Sequence, residues 1–508
     1  MLAMALDPKP GGAAARLRGA VAQRVRTLPD RHGGPVVLGV LGGVLVVGFV
    51  IRLLAALNPP PVSEIGNDAT AYMRLAASLF ELGTYGAPNQ LSPSDWSPGA
   101  PLLYGGIYYL VGGVRPGVVL VVLAFLGLGT MIVTYLIARR LGGPIAGVIA
   151  AALAATYPSF VENAQRMLAE PVALFVLPAA VLSFLWASDE GGRVWRWLLP
   201  GFLLGLTALT RPEYLPFVAV FAVLALARVA WLRRPRWRAG LVGGVAASAL
   251  LVAAFLVPLA PWTIRNAIVL DRFVPVTTGG GKALFVATYL PGDGRQQKVK
   301  RKLIERYYGK HDLSYPEVKA TQMAPLLDRV AKRFPDMRRD AALGRIGREN
   351  FERYLTEQPA AYARMVLAKI GNMWDRGSTP AMSPDLMFVY HRVLLALAGI
   401  GLVAMALKRR WEVVVIGLLV LGITAVGGLT LAVPRRALPL MPMVLAFTAV
   451  PLSWAVPRLR RARSDPAQPV EPPAPEGAPV KRNPQLVAEP PDLPTLATRG
   501  SVSSGCRR

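Results

Sequence analysis

Two carboxylates stand where chemistry at a membrane surface would need them. Asp68, in "NDATAYMRLA", and Glu170, in "NAQRMLAEPVALF", each lie beside a long apolar run. Two carboxylates bordering one cleft can take a proton from a hydroxyl or hold a cation. Arginines supply the complementary charge. Arg52 lies inside the first apolar run, toward its end, and Arg166, Arg211, Arg265 and Arg435 fall at the ends of other runs. A guanidinium grips phosphate in a planar, two-pronged way, so several converging arginines would suit an anionic lipid headgroup. Each residue also has a plainer use. Asp68 could cap a helix, and Glu170 beside Pro171 could favour a helix start. Arg52 could reach back to the interface, and the other arginines could anchor helix ends. The sequence decides between these uses only through the elements that carry the residues.

Those elements are apolar and long. Of 508 residues, 53% are hydrophobic and only 17% charged. The apolar residues come in blocks at 36–57, 117–138, 143–160, 171–187, 198–210, 214–227, 240–262, 386–407, 411–433 and 437–456. About 18 such residues suffice to cross a bilayer as a helix, and only helices or closed barrels satisfy their backbone there. No segment has the period-2 alternation of a membrane barrel. The expected fold is therefore an all-α polytopic membrane protein with about ten spans.

With the N-terminus inside, the short inner connections carry Arg139 and Arg140, Arg193 and Arg196, Arg228 to Arg238, Lys408 to Arg410, and the tail. The net charge of +27 then follows the positive-inside rule rather than nucleic-acid binding. Asp68 and Glu170 emerge on the same, outer side. The first run follows a basic leader and lacks a cleavage site, so it reads as a retained helix. A single cysteine, Cys506, excludes an intrachain disulfide, and three histidines argue against a histidine-built metal centre.

The chain divides into a basic N-terminal segment (1–35), a membrane module (36–262) whose first outer loop is 58–116, an outer domain (263–385), C-terminal spans (386–457) and a tail (458–508). In the first loop, Tyr72, Leu75, Leu79 and Leu82 share one helical face, which predicts a helix opening at Asp68 and stopping at Gly83. "APLLYGGIYYLVGG" (100–113) is too short to span and reads as an interfacial or re-entrant helix. The outer segment 298–374 reads helical with a break at Pro359. The tail, rich in Pro, Ala and charge, is expected to be disordered.

From 52 to about 456 the motifs, taken in order, resemble the membrane glycosyltransferases of the GT-C fold, in the protein-mannosyltransferase and aminoarabinose-transferase-like group. "DATAY" resembles the family's Asp-x-x-x-Tyr, which carries Asp68 and Tyr72. "SPGAPLLYGGIYYLVG" resembles the proline-led segment after it. "LAEP", "GLTALTRP", "PWTIRN" and "PRRALPLMP" follow at the expected places. Ala69 and Arg436 depart from the commoner residues at their positions. The resemblance implies a GT-C helical bundle in a bacterial plasma membrane, with both termini cytoplasmic. It implies transfer of a sugar from a polyprenyl-phosphate donor to a glycan, lipid or protein acceptor on the outer side. Asp68 would be the general base and Glu170 its partner; Tyr72, Arg52, Arg166, Arg211, Arg265 and Arg435 would bind substrate. Any divalent cation at such carboxylates would be a hard one, magnesium or manganese. A transporter or flippase for a lipid-linked sugar is the competing expectation.

Overall fold

The computed structural model describes residues 34–61, 67–86, 96–189, 193–375, 382 and 384–464. Among them there are helices and no strands. The membrane module begins with α1 (Pro35–Leu57), then α2 (Asn67–Leu82) and α3 (Gly99–Val111). Next come α4 (Pro116–Thr156), α5 (Pro158–Asn163), α6 (Ala169–Ala187), α7 (Leu198–Thr210), α8 (Phe217–Leu232) and α9 (Trp237–Leu270). The segment between the two sets of spans is helical as expected: α10 (Gly280–Thr288), α11 (Gln296–Tyr308), α12 (Tyr315–Ala320), α13 (Met323–Ala331), α14 (Arg339–Glu357) and α15 (Pro359–Asp375). The chain then returns through α16 (Asp385–Leu407), α17 (Trp411–Leu429), the short α18 (Pro434–Ala437) and α19 (Met441–Ser464).

Among the described residues, eight helices are long and apolar enough to cross a membrane. The ten apolar runs of the sequence map onto these eight for two reasons. First, α4 is two limbs: Gly143 adopts φ 86° and breaks it, with Pro144 opening the second limb. The limbs fold back on each other, since a side chain at Gly147 would strike the Tyr135 ring. Second, α7, with the 3-10 turn before it, is a shorter apolar helix. Proline opens α1, α4, α5 and α18 at the first helical position, where its missing N–H costs nothing. The break expected at Pro359 is likewise the start of α15.

The first-loop elements sit where the sequence places them. α2 opens at Asn67 and stops before Gly83, whose φ is 64°. α3 has 13 residues and ends on the left-handed Gly112. It packs on α2. Its Gly99 meets the end of α7, because a Cβ there would lie 2.7 Å from the Thr210 amide nitrogen. α7 and α9 touch backbone to backbone, since a side chain at Gly201 or Gly205 would collide with the carbonyl of Leu251 or Phe255. Small residues at such crossings are what lets membrane helices approach. Of the tail expected to be disordered, the stretch to Ser464 continues α19, and the rest lies outside the described residues.

Candidate active site

The start of α2, the start of α6, the turn between α7 and α8, and α18 bring their charged residues together. Asp68 opens α2, and its carboxylate accepts a bond from Arg435 Nη1. Arg435 Nε lies 3.6 Å from Glu170 Oε1, in the first turn of α6. The same Glu170 oxygen accepts from Arg211 Nη1 at 3.0 Å. Arg211 Nε in turn donates to Glu213 Oε1 at 3.0 Å, and its Nη2 reaches the Arg435 carbonyl at 3.4 Å. Arg436 Nε completes the cluster, 3.8 Å from Glu213. Three acids and three arginines thus alternate from Asp68 to Arg436.

Burial grades along this chain. The side chains of Glu170 and Arg211 are 4% and 8% exposed, whereas those of Asp68 and Arg435 are 33% and 46% exposed. The inner pair is buried, and the outer pair is open to solvent. Burial alone would lower the Arg211 guanidinium, but the charges of Glu213 and Glu170 outweigh it and hold it above the ordinary arginine value. Tyr72, one turn along α2 from Asp68, is buried and meets Trp96 edge to face. Burial, reinforced by the Glu170 charge, raises its phenol, so it stays protonated.

Four residues that the sequence reading passed over help set this geometry. Glu213 and Arg436 belong to the cluster itself; the first stood in a loop and the second was noted only as a departure from pattern. Tyr104 of α3 donates to the Leu168 carbonyl at 2.5 Å, which fixes the residue before α6 and hence the entry of Glu170. Lys369 of α15 is fully buried and donates to the carbonyls of Ala287 and Thr430, at 3.1 and 2.9 Å. Thr430 accepts from Arg436 through its hydroxyl. Burial first, and Arg436 second, lower the Lys369 amine to about 8. A lysine in register with the apolar residues Tyr362, Met365 and Met373 was the available signal.

The remaining candidates are tied to other partners. Arg52 is 1% exposed, and its guanidinium donates to the carbonyls of Gly48, Ala155 and Ala154 at 2.9, 3.0 and 2.5 Å. Ala154 and Ala155 belong to the last turn of α4, whose carbonyls have no helical partner. Arg52 is therefore the C-terminal cap of another helix. Arg166 pairs with Glu162, one turn earlier, at 2.8 Å. Arg265 donates to Tyr85 O and Asn266 Oδ1 at 3.1 and 2.9 Å and stacks on Trp262. Tyr85 donates to the Trp96 carbonyl, so an aromatic series links Arg265 toward Tyr72.

Among the described residues no group of three or more His, Cys, Asp or Glu side chains is arranged to hold a metal. Between Asp68 and Glu170 stands the Arg435 guanidinium, which a divalent cation would have to displace.

Residues 95–262 match the dolichyl-phosphate-mannose-protein mannosyltransferase family. The mannosyltransferase match takes in α3 to α9 with Glu170, Arg211 and Glu213; Asp68 and Arg435 lie outside it. No curated protein matches the chain. Among solved structures, the Archaeoglobus fulgidus oligosaccharyltransferase tethered with an acceptor peptide aligns at TM-score 0.49 and 15% identity, over 84% of this chain and 50% of that one. The AglB oligosaccharyltransferase of the same organism, in complex with an inhibitory peptide and a dolichol-phosphate, aligns at 0.46 and 15%, over 84% and 51%. ArnT from Cupriavidus metallidurans bound to undecaprenyl phosphate aligns at 0.31 and 15%, over 82% and 76%. The chain spans about half the length of the archaeal structures it matches.

Proposed function

We propose that the chain is a membrane glycosyltransferase, moving a sugar from a polyprenyl-phosphate donor to an acceptor hydroxyl at the membrane surface. The observation that carries this reading is the half-exposed Arg435, held between Asp68 in the first turn of α2 and Glu170 in the first turn of the apolar α6. The mannosyltransferase family match over the neighbouring helices supports it.

The acceptor oxygen bonds to the anomeric carbon as its proton passes to Asp68. The anomeric C–O bond breaks, and its electron pair leaves with the phosphate oxygen of the lipid. Fixed positive charge at a developing oxyanion stabilises such a transition state. Arg435 is the cation placed for that, and Arg211 and Glu170 hold it in position without reorganisation. Before donor binds, Arg435 neutralises Asp68. A phosphate that draws on the same guanidinium releases the Asp68 carboxylate to face the acceptor hydroxyl. The sugar enters beside Tyr72, and the acceptor is a glycan, lipid or protein of the envelope.

The test is a vesicle assay with the purified chain and a radiolabelled polyprenyl-phosphate hexose. The reading expects free polyprenyl phosphate and label on an acceptor from an envelope extract. Movement of intact donor between leaflets, with no bond cleaved, would replace it with transport.

A further inference from the structure

A second site lies at the end of the bundle opposite the carboxylates. α6 carries Glu170 in its first turn and ends at Ala187, and α7 ends one residue before Arg211, so the end of α6 and the start of α7 share that opposite end. A cavity of about 740 Å³ opens there between the first limb of α4, α6 and α7. This is within the range of about 300–1,000 Å³ typical of ligand sites. Leu136, Ala179, Leu182 and Leu199 form its apolar wall, and Arg139 and Arg140 line it too.

Charge gathers at this end. Arg140 donates to Asp189 and Glu412, and Arg410 adds a second bond to Glu412. Arg196 stacks on Trp186, another wall residue, 4.5 Å from the ring centroid. Asp189 and Glu412 are thus outnumbered by Arg139, Arg140, Arg196 and Arg410. An apolar groove between membrane helices fills with hydrocarbon, and cations at its end select the headgroup attached to it.

We propose that this groove binds an anionic glycerophospholipid, with an acyl chain along α6 and α7 and the headgroup phosphate against Arg139 and Arg140. The site uses none of the carboxylate cluster, so it stands or falls independently of the transfer reaction.

The test uses the purified full chain in micelles containing phosphatidylglycerol or phosphatidylcholine with a photoreactive group on the acyl chain. Labelled peptides are mapped and compared at equal probe concentration. The phosphatidylglycerol probe should label peptides containing Leu136, Leu182 or Leu199 at least fivefold more than the phosphatidylcholine probe. Arg139→Gln should bring the two probes level. Leu199→Trp, at an exposed wall position, should reduce both, with unchanged thermal midpoints confirming the fold. Equal labelling by both probes in the wild type would overturn the proposal. So would labelling confined to other helices, or a headgroup preference that survives Arg139→Gln.

Discussion

Arg435 sets one guanidinium against two carboxylates from distant parts of the chain, Asp68 at the start of α2 and Glu170 at the start of α6. The fork has fixed geometry, which a single ammonium cannot reproduce. Arg435→Lys keeps the charge but not the bridge. It should lower donor turnover about 100-fold, the scale seen when one donor to a developing oxyanion is lost. Steady-state kinetics with a polyprenyl-phosphate sugar would measure this. A variant with wild-type kcat/KM would remove Arg435 from the donor site.

Glu170 should act as a structural counter-ion rather than as an open catalytic acid. Its oxygen lies against both Arg211 and Arg435, and its side chain is 4% exposed. Removing one member of a buried ion pair costs about 3–5 kcal/mol. Arg211 keeps Glu213, so Glu170→Gln should fall at the low end of that range. Thermal unfolding in detergent would report it as a lowered midpoint. An unchanged midpoint with lost turnover would make Glu170 a reacting group instead.

Arg52 should matter for stability rather than for substrate. Its guanidinium satisfies carbonyls at the end of α4, and an unsatisfied buried acceptor costs about 1–3 kcal/mol. Arg52→Met should lower the unfolding midpoint while leaving the donor KM within about twofold, since apolar replacement removes only the cap. A tenfold rise in KM at unchanged midpoint would return Arg52 to the substrate site.

The bundle was legible in the sequence because a span announces itself by length and hydropathy, and loop charge orders the spans. The helix at Asp68 and the short helix at Gly99 were legible for the same local reasons. Asp68 and Glu170 could be placed near each other from sidedness alone. What joins them could not be read, since Arg435 is one of several arginines at helix ends and only packing selects it. Arg52 looked functional because a charge within an apolar run usually is. Its partners are backbone carbonyls of a helix end far along the chain, and these leave no side-chain signature. Glu213 and Arg436 were overlooked because each becomes meaningful only beside Arg211.

Lys369 gives a pH dependence of stability. Its amine is lowered to about 8 in the fold, from an ordinary lysine value of 10.5. Between those values the unfolded chain binds more protons than the folded one, so stability rises with pH across that window. Below about 8 both states are protonated and the penalty of the buried charge is fully present. The neutral amine still has two N–H groups for Ala287 and Thr430. The thermal midpoint should therefore climb from pH 8 to 10 in the wild type, and this climb should shrink in Lys369→Met. Parallel profiles for the two proteins would show that Lys369 does not titrate in this range.

Asp68 takes the acceptor proton in the proposed reaction, and Asp68→Asn removes that base with the least change of shape. Asparagine caps a helix about as well as aspartate, so the unfolding midpoint should stay near that of the wild type. Loss of a general base lowers rate about 10²–10⁴-fold. Label transfer from a polyprenyl-phosphate sugar should fall at least about 100-fold in this folded variant. Transfer at the wild-type rate by Asp68→Asn would contradict a base role for Asp68.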